Sequence, residues 1–242
     1  MGSEVRPMHA VLTGNVPGSA RLPGGEQEHL RFVMQRAASQ VQYIYPDHLI
    51  LPVDIQRQDS WQAMVLNPEV ALAVCLYFHA SVRAGMKDVP VHLRCSIGLG
   101  NVDKYPEDRV GEGDGEAFWL SRHGLERMPR KRHLVIVLAA HYADCLSDAS
   151  DSLLFLLDAL SSRWTPRQAE AVAGAMAGMT QEAIAQHWQT GPITQQAVAQ
   201  HLDRAGWHAI EHGLTFFERW LSLPRQLPFS SPGNGHVGSM NS

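Results

Sequence analysis

Strand-like patterning in this chain stops at about residue 140. Up to there, short apolar or alternating runs take turns with segments of helical spacing; beyond Ser150 every periodic stretch has a helical repeat. A chain with that change of pattern is expected to form an α/β (α+β) layer, a sheet flanked by helices, followed by a small all-α unit. The expected division is 1–145 for the mixed part and 146–222 for the helical part, with 223–242 a Pro-, Gly- and Ser-rich disordered tail. At 242 residues the chain is long enough for two such units.

Within the first part, Ala10 to Thr13 is a short apolar strand that runs into the breaker-rich turn Gly14-Asn15-Val16-Pro17-Gly18-Ser19. Leu30, Val33, Met34, Ala37, Val41 and Ile44 follow with the spacing of a helix face. His48 to Arg57 and Ser60 to Leu66 read as a hairpin with its turn at Gln58-Asp59. Asn67-Pro68-Glu69 opens a helix with a cap, an N1 proline and an acid in the first turn. Val91 to Gly100 alternates, which puts His92, Arg94 and Ser96 on one face. A glycine-rich loop then leads to a helix from about Glu116 to Arg127, and His133 to Ala140 reads as a last buried strand. The order β-α-β-β-α-β-α-β is compatible with a ferredoxin-like palm sheet.

In the second part, Gln181 to Trp188, the break Gln189 to Pro192 and Ile193 to Leu202 have the helix, glycine turn and second helix of a helix-turn-helix unit. Gln195, Gln196 and Gln200 on its second helix are candidates to read base edges, with Arg163, Arg167 and Arg204 for phosphates. Trp164, Trp188, Trp207 and Trp220 are expected to pack the helical core. His208 and His212 have the spacing of a helical metal pair without an evident third ligand, and read as surface histidines.

Four motifs in order carry a resemblance to a known family. They are Gly14-Asn15-Val16-Pro17-Gly18-Ser19 with Arg21; Gln58-Asp59-Ser60-Trp61-Gln62; Arg94-Cys95-Ser96-Ile97-Gly98-Leu99-Gly100; and Gly115-Glu116-Ala117-Phe118 with Arg122. Over residues 9–140 the chain resembles the SatD family, and its layout is similar to the palms of class III nucleotidyl cyclases and diguanylate cyclases. The resemblance implies a nucleotide site with Gly14, Asn15, Ser19, Arg21 and Gln62 around a nucleoside triphosphate. It places Asn15 and Asp59 where a carboxylate pair would hold Mg²⁺ or Mn²⁺, and gives Asp59, Arg94 and Arg122 catalytic roles. Transfer to an α-phosphate by such palms uses two cations about 3.5–4 Å apart, each needing carboxylate oxygens.

The chain departs from that pattern at Asn15, a neutral amide in the place of an aspartate, and at Gln58, in the place of a glycine. The expected function is therefore a SatD-like regulatory protein whose nucleotide-binding palm turns over little or nothing and is coupled to the helix-turn-helix module. The alternative is an active metal-dependent nucleotidyl cyclase or nucleotidyltransferase. Either reading implies a homodimer, as in cyclase palms.

Composition narrows the partners. Lys and Arg number 20 against 24 Asp and Glu, a net charge of −4, and the excess is shared: 15 basic and 17 acidic residues in 1–149, 5 and 7 in 150–242. No half is a basic module, so duplex DNA binding through the helical part would rest on few cations. The one basic cluster is Arg122, Arg127, Arg130, Lys131 and Arg132, a solvated helix end or, at Arg122, a triphosphate contact. Cys75, Cys95 and Cys145 lack any CxxC spacing, which fits a reducing, cytoplasmic setting. The longest apolar runs fall short of the roughly 18–20 residues of a membrane span, so no membrane partner is expected.

Overall fold

The computed structural model describes residues 7–57 and 59–222, with the backbone alone for 141–147. The expected tail, 223–242, and Gln58 lie outside the described residues. Five strands form one sheet: β1 (His9–Asn15), β2 (Asp54–Gln56), β3 (Ser60–Val65), β4 (Arg94–Gly100) and β5 (Leu134–Leu138). Their order is β2-β3-β1-β4-β5, with every pairing antiparallel except β4 with β5. Helices α1 (Gly24–Ile44) and α2 (Ala71–Gly85) make the two crossovers of a split β-α-β layout, and α3 (Glu116–Arg127) joins β4 to β5. The ferredoxin-like, palm-type α+β arrangement expected from the element order is the one observed.

Two strand boundaries differ from the sequence reading. The first hairpin arm is a strand only over Asp54–Gln56; residues 48–53 touch β3 through a single bridge, Leu49 to Val65. The last strand is half exposed, because β5 is the sheet edge and pairs on one side only. His92, expected beside Arg94 on a strand face, precedes β4 and lines a small cavity with His79 and Arg83 of α2.

Alternation along the strands separates two faces. Ala10, Leu12, Cys95, Ile97 and Leu99 face α1 and α2 in the main core. Val11 and Met64 face α3 and pack with Ala117 and Phe118. Close approach of α3 decides this second face. A Cβ on Gly98 would stand 2.5 Å from the Ser121 backbone nitrogen, so only glycine lets the helix lie this near the strand. Gly115, which starts α3, has φ +134° and would place a Cβ 2.6 Å from the Asp103 nitrogen. The glycines of the third and fourth motifs therefore have a packing role visible in the fold.

The helical part comprises α4 (Ala140–Ser161), α5 (Pro166–Met176), α6 (Gln181–Gln186), α7 (Gln195–Ala205) and α8 (Trp207–Ser222). The boundary expected at 145/146 falls inside α4, and the apolar core runs without interruption from Leu76 and Phe78 of α2 to Leu157, Trp164 and Val172. Thr165, Thr180 and Thr194 cap α5, α6 and α7 through their side chains. Helix α6 ends at Gln186, so residues 187–194 separate it from α7, a longer connection than the sequence pattern suggested. Among the described residues no helix is long and apolar enough to cross a membrane.

A buried polar cluster fastens the two parts. Asp158 of α4 is 4% exposed and accepts the His133 backbone N–H at 2.8 Å and lies 3.1 Å from His133 Nδ1. Burial pushes its carboxyl up, but the His133 bonds outweigh this and hold it below the usual carboxylate range. Arg83 of α2 donates to the Val91 carbonyl at 2.7 Å and to the Trp164 carbonyl, while Trp164 Nε1 donates to Ala205 at 2.9 Å. His92, 5.5 Å from His133 between ring centres, is pushed below the usual histidine value by burial and then by the charges of Arg83 and His133.

Two outcomes follow for stability. Gly98→Ala is expected to lower the unfolding free energy by about 1–3 kcal/mol through overpacking, whereas Gly24→Ala, which meets open space, stays within about 0.5 kcal/mol; urea midpoints measure both. Folded His92 resists protonation, so the unfolded chain takes up the extra proton as pH falls through its ordinary value near 6.5. Stability should therefore drop between about pH 7 and 5, and His92→Gln should flatten that slope in urea titrations. The depressed Asp158 adds a second loss at lower pH, as the folded carboxyl itself becomes protonated.

Candidate functional site

The candidate site lies where β1 ends. Sheet register sets Asn15 between Ser60 of β3 and Arg94 of β4. The next stretch folds back over the hairpin turn: Val16 N–H donates to the Asp59 carbonyl at 3.0 Å, and the Ser19 hydroxyl donates to Asp59 Oδ2 at 2.6 Å. Ser19 is buried, so this charge-assisted bond fixes one carboxylate oxygen in place. The Arg21 side chain curls back, its Nη2 reaching within 3.1 Å of where a Gly18 side chain would begin. Gly14 packs against the Trp61 indole on the opposite sheet face. Gly14, Asn15, Ser19, Arg21 and Asp59, scattered over 46 positions of sequence, thus meet at one end of the sheet.

The remaining predicted residues are placed differently. Gln62 is buried two register pairs from Asn15 and donates to Thr13 Oγ1 at 3.0 Å while accepting from Gln56 Nε2 at 2.8 Å. Thr13 in turn bonds Ser121 Oγ at 2.8 Å, and Ser121 donates to the Phe118 carbonyl at 3.0 Å. This relay ties the sheet face to α3. Arg94 neighbours Asn15 in register, but its guanidinium donates to the carbonyls of Met128 (2.7 Å), Arg132 (3.3 Å) and Pro129 (3.4 Å), holding the α3–β5 connection. Arg122 is exposed on α3, 5.8 Å above the Phe118 ring. On α7, Gln195, Gln196, Gln200 and Arg204 are all exposed.

Sequence reading missed Thr13, Gln56 and Ser121, which complete the relay, and Asp158, which anchors the seam. The alternation of β1 already put Thr13 on the face opposite Leu12. Asp158 was visible as a lone acid inside the apolar run from Leu153 to Leu160.

The donor set decides what the site can hold. A two-cation centre needs two carboxylates on rigid elements. Here Asp59 supplies the single one, with Oδ2 already accepting from Ser19, and Asn15 offers only an amide oxygen. Among the described residues no group of three or more His, Cys, Asp or Glu side chains could hold a metal ion. The residues present do not fit the Mg²⁺ or Mn²⁺ pair of a cyclase palm. Asn15 Oδ1 is buried and, among the described residues, has no hydrogen-bond partner. An orphaned acceptor of this kind carries a desolvation cost that a ligand hydroxyl or N–H would remove.

Comparison with known proteins adds little. No family model matches the sequence, and no curated protein does. Among solved structures, the guanylyl cyclase Cya2 is similar at 14% identity over 59% of this chain and 79% of its own, with a TM-score of 0.43. A likeness of that size carries no argument about activity, and the palm description rests on the strand order and register of this chain alone.

Proposed function

We propose that this chain is a cytoplasmic, SatD-like regulatory protein whose palm binds a nucleoside triphosphate without turning it over, and whose α6–α7 segment is a helix-turn-helix module for duplex DNA in a homodimer. The observation that carries the nucleotide reading is the unpartnered Asn15 Oδ1 beside the Ser19-bound Asp59. In this reading the residues covering Asn15 Oδ1 shift to admit a ribose hydroxyl that donates to it, and the exposed Arg21 guanidinium pairs with phosphate oxygens. The Asp59 carboxylate orients Ser19 and the 14–19 turn and acts on no bond of the ligand. With one carboxylate in place of two, the site lacks the charge that nucleotidyl transfer draws from paired cations.

Exposure of Gln195, Gln196, Gln200 and Arg204 on one capped helix supports the DNA reading. The small number of cations in the helical part predicts modest, salt-sensitive affinity.

Calorimetric titration of ATP, GTP, CTP and UTP, with and without Mg²⁺, tests the palm. One of them is expected to bind with no product by chromatography, and Arg21→Gln is expected to weaken it about tenfold. Product formed by the unaltered chain would instead support the cyclase alternative, and Asn15→Asp would then raise the rate. Absence of binding by both forms overturns both. For DNA, anisotropy of a labelled duplex should fall steeply with salt, and Arg204→Gln should reduce the log–log slope by about 1; a response that does not change with salt rejects the contact.

A further inference from the structure

A cleft of about 300 Å³ opens where α1 and α2 of the palm meet α5 and α6. That is large enough for a small metabolite. One wall is apolar, made by Ala173, Ala177, Met179 and Ile184, and the buried Ser81 and half-hidden Glu170 supply polar groups.

Two opposite charges face the same space without touching. Glu170 of α5 is half buried, and its Oε1 accepts the Gln189 backbone N–H at 2.5 Å, leaving Oε2 for another donor. Burial pushes its carboxyl up, only partly offset by that N–H and by the charges of Lys87, Arg167 and Arg36. Arg36 of α1 is exposed at the cleft and, among the described residues, forms no ion pair or hydrogen bond. A carboxylate and a guanidinium separated across an apolar-walled space match the two ends of one zwitterion.

We propose that this cleft binds a free α-amino acid with an aliphatic side chain. Its ammonium pairs with Glu170, its carboxylate with Arg36, and its side chain lies on Ala173, Ala177, Met179 and Ile184. A simple amine would leave Arg36 unused, a simple carboxylate would face Glu170, and a phosphate would meet that same anion. Because Gln189 lies in the connection between α6 and α7, a ligand on Glu170 touches the palm and the α6–α7 segment together. Occupancy then stabilises the seam by mass action.

Calorimetry on the full chain with L-leucine, glycine, isoamylamine and 4-methylpentanoate tests this, with no nucleotide in the cell, so that the outcome is independent of the palm site. L-leucine is expected to bind saturably, and the other three at least about tenfold more weakly, each lacking one of the three contacts. Glu170→Gln and Arg36→Gln should each weaken L-leucine to a similar degree. Arg36 is exposed, so its variant keeps the fold, and a thermal melt by circular dichroism checks it. The proposal is overturned if L-leucine shows no saturable binding at millimolar concentration, if isoamylamine binds equally well, or if neither substitution changes the affinity.

Discussion

The near contact between α3 and the sheet is the constraint on which the rest of this fold depends. Backbone meets backbone at Gly98, and Gly124 lies over Ser96 and Val137 with no room for a side chain. Few apolar side chains separate the helix from the sheet, so the second core is small, six buried residues around Phe118. Space beyond it is filled by hydrogen bonds, from Gln56 through Gln62 and Thr13 to Ser121 and the Phe118 carbonyl. A polar row of this kind is tolerable only because every member is satisfied in turn. Asn15, two register pairs beyond Thr13 and Gln62, lacks that company, and among the described residues its buried Oδ1 has no hydrogen-bond partner.

The same geometry separates positioning from binding among the arginines. Arg94 sits next to Asn15 by register, yet three carbonyls at the end of α3 occupy its guanidinium. An Arg satisfied in this way orders the loop that follows α3. Arg21, brought back over Gly18 by the turn after β1, is exposed. The candidate site therefore has one carboxylate, one amide and one guanidinium, a set suited to recognition and poor in the charge needed for cation-assisted transfer.

The seam between palm and helices follows a different principle. Its apolar part is continuous, and its polar part concentrates Asp158, His133, His92 and Arg83 in one small cavity. Burying these groups is costly, and the cost is offset by the bonds of Asp158 to His133 and of Arg83 to the Val91 and Trp164 carbonyls. The seam thus links the two parts through groups whose protonation changes as pH falls.

Much of the fold was legible in the sequence because it is written in local periodicity: the eight palm elements, their order along the chain, and the glycines ahead of α3; the cap expected at Asn67 was not found, since Asn67 precedes a 3-10 turn (Pro68–Val70) without a side-chain cap bond and α2 itself begins at Ala71. The hairpin arm before Asp54 and the edge exposure of β5 were not legible, since both depend on which strand lies next to which. For the site, the family resemblance brought attention to Asn15, Ser19, Arg21 and Asp59, but the commitment of Arg94 to carbonyls and the Gln62 relay became visible only when distant segments met. The sequence alone determined that position 15 carries a neutral amide and position 59 a carboxylate, because chemistry is carried by residue identity. Only the tertiary structure decided that Glu170 and Arg36, 134 positions apart, share a cleft, because that pairing comes from α5 packing on α2 and from no pattern along the chain.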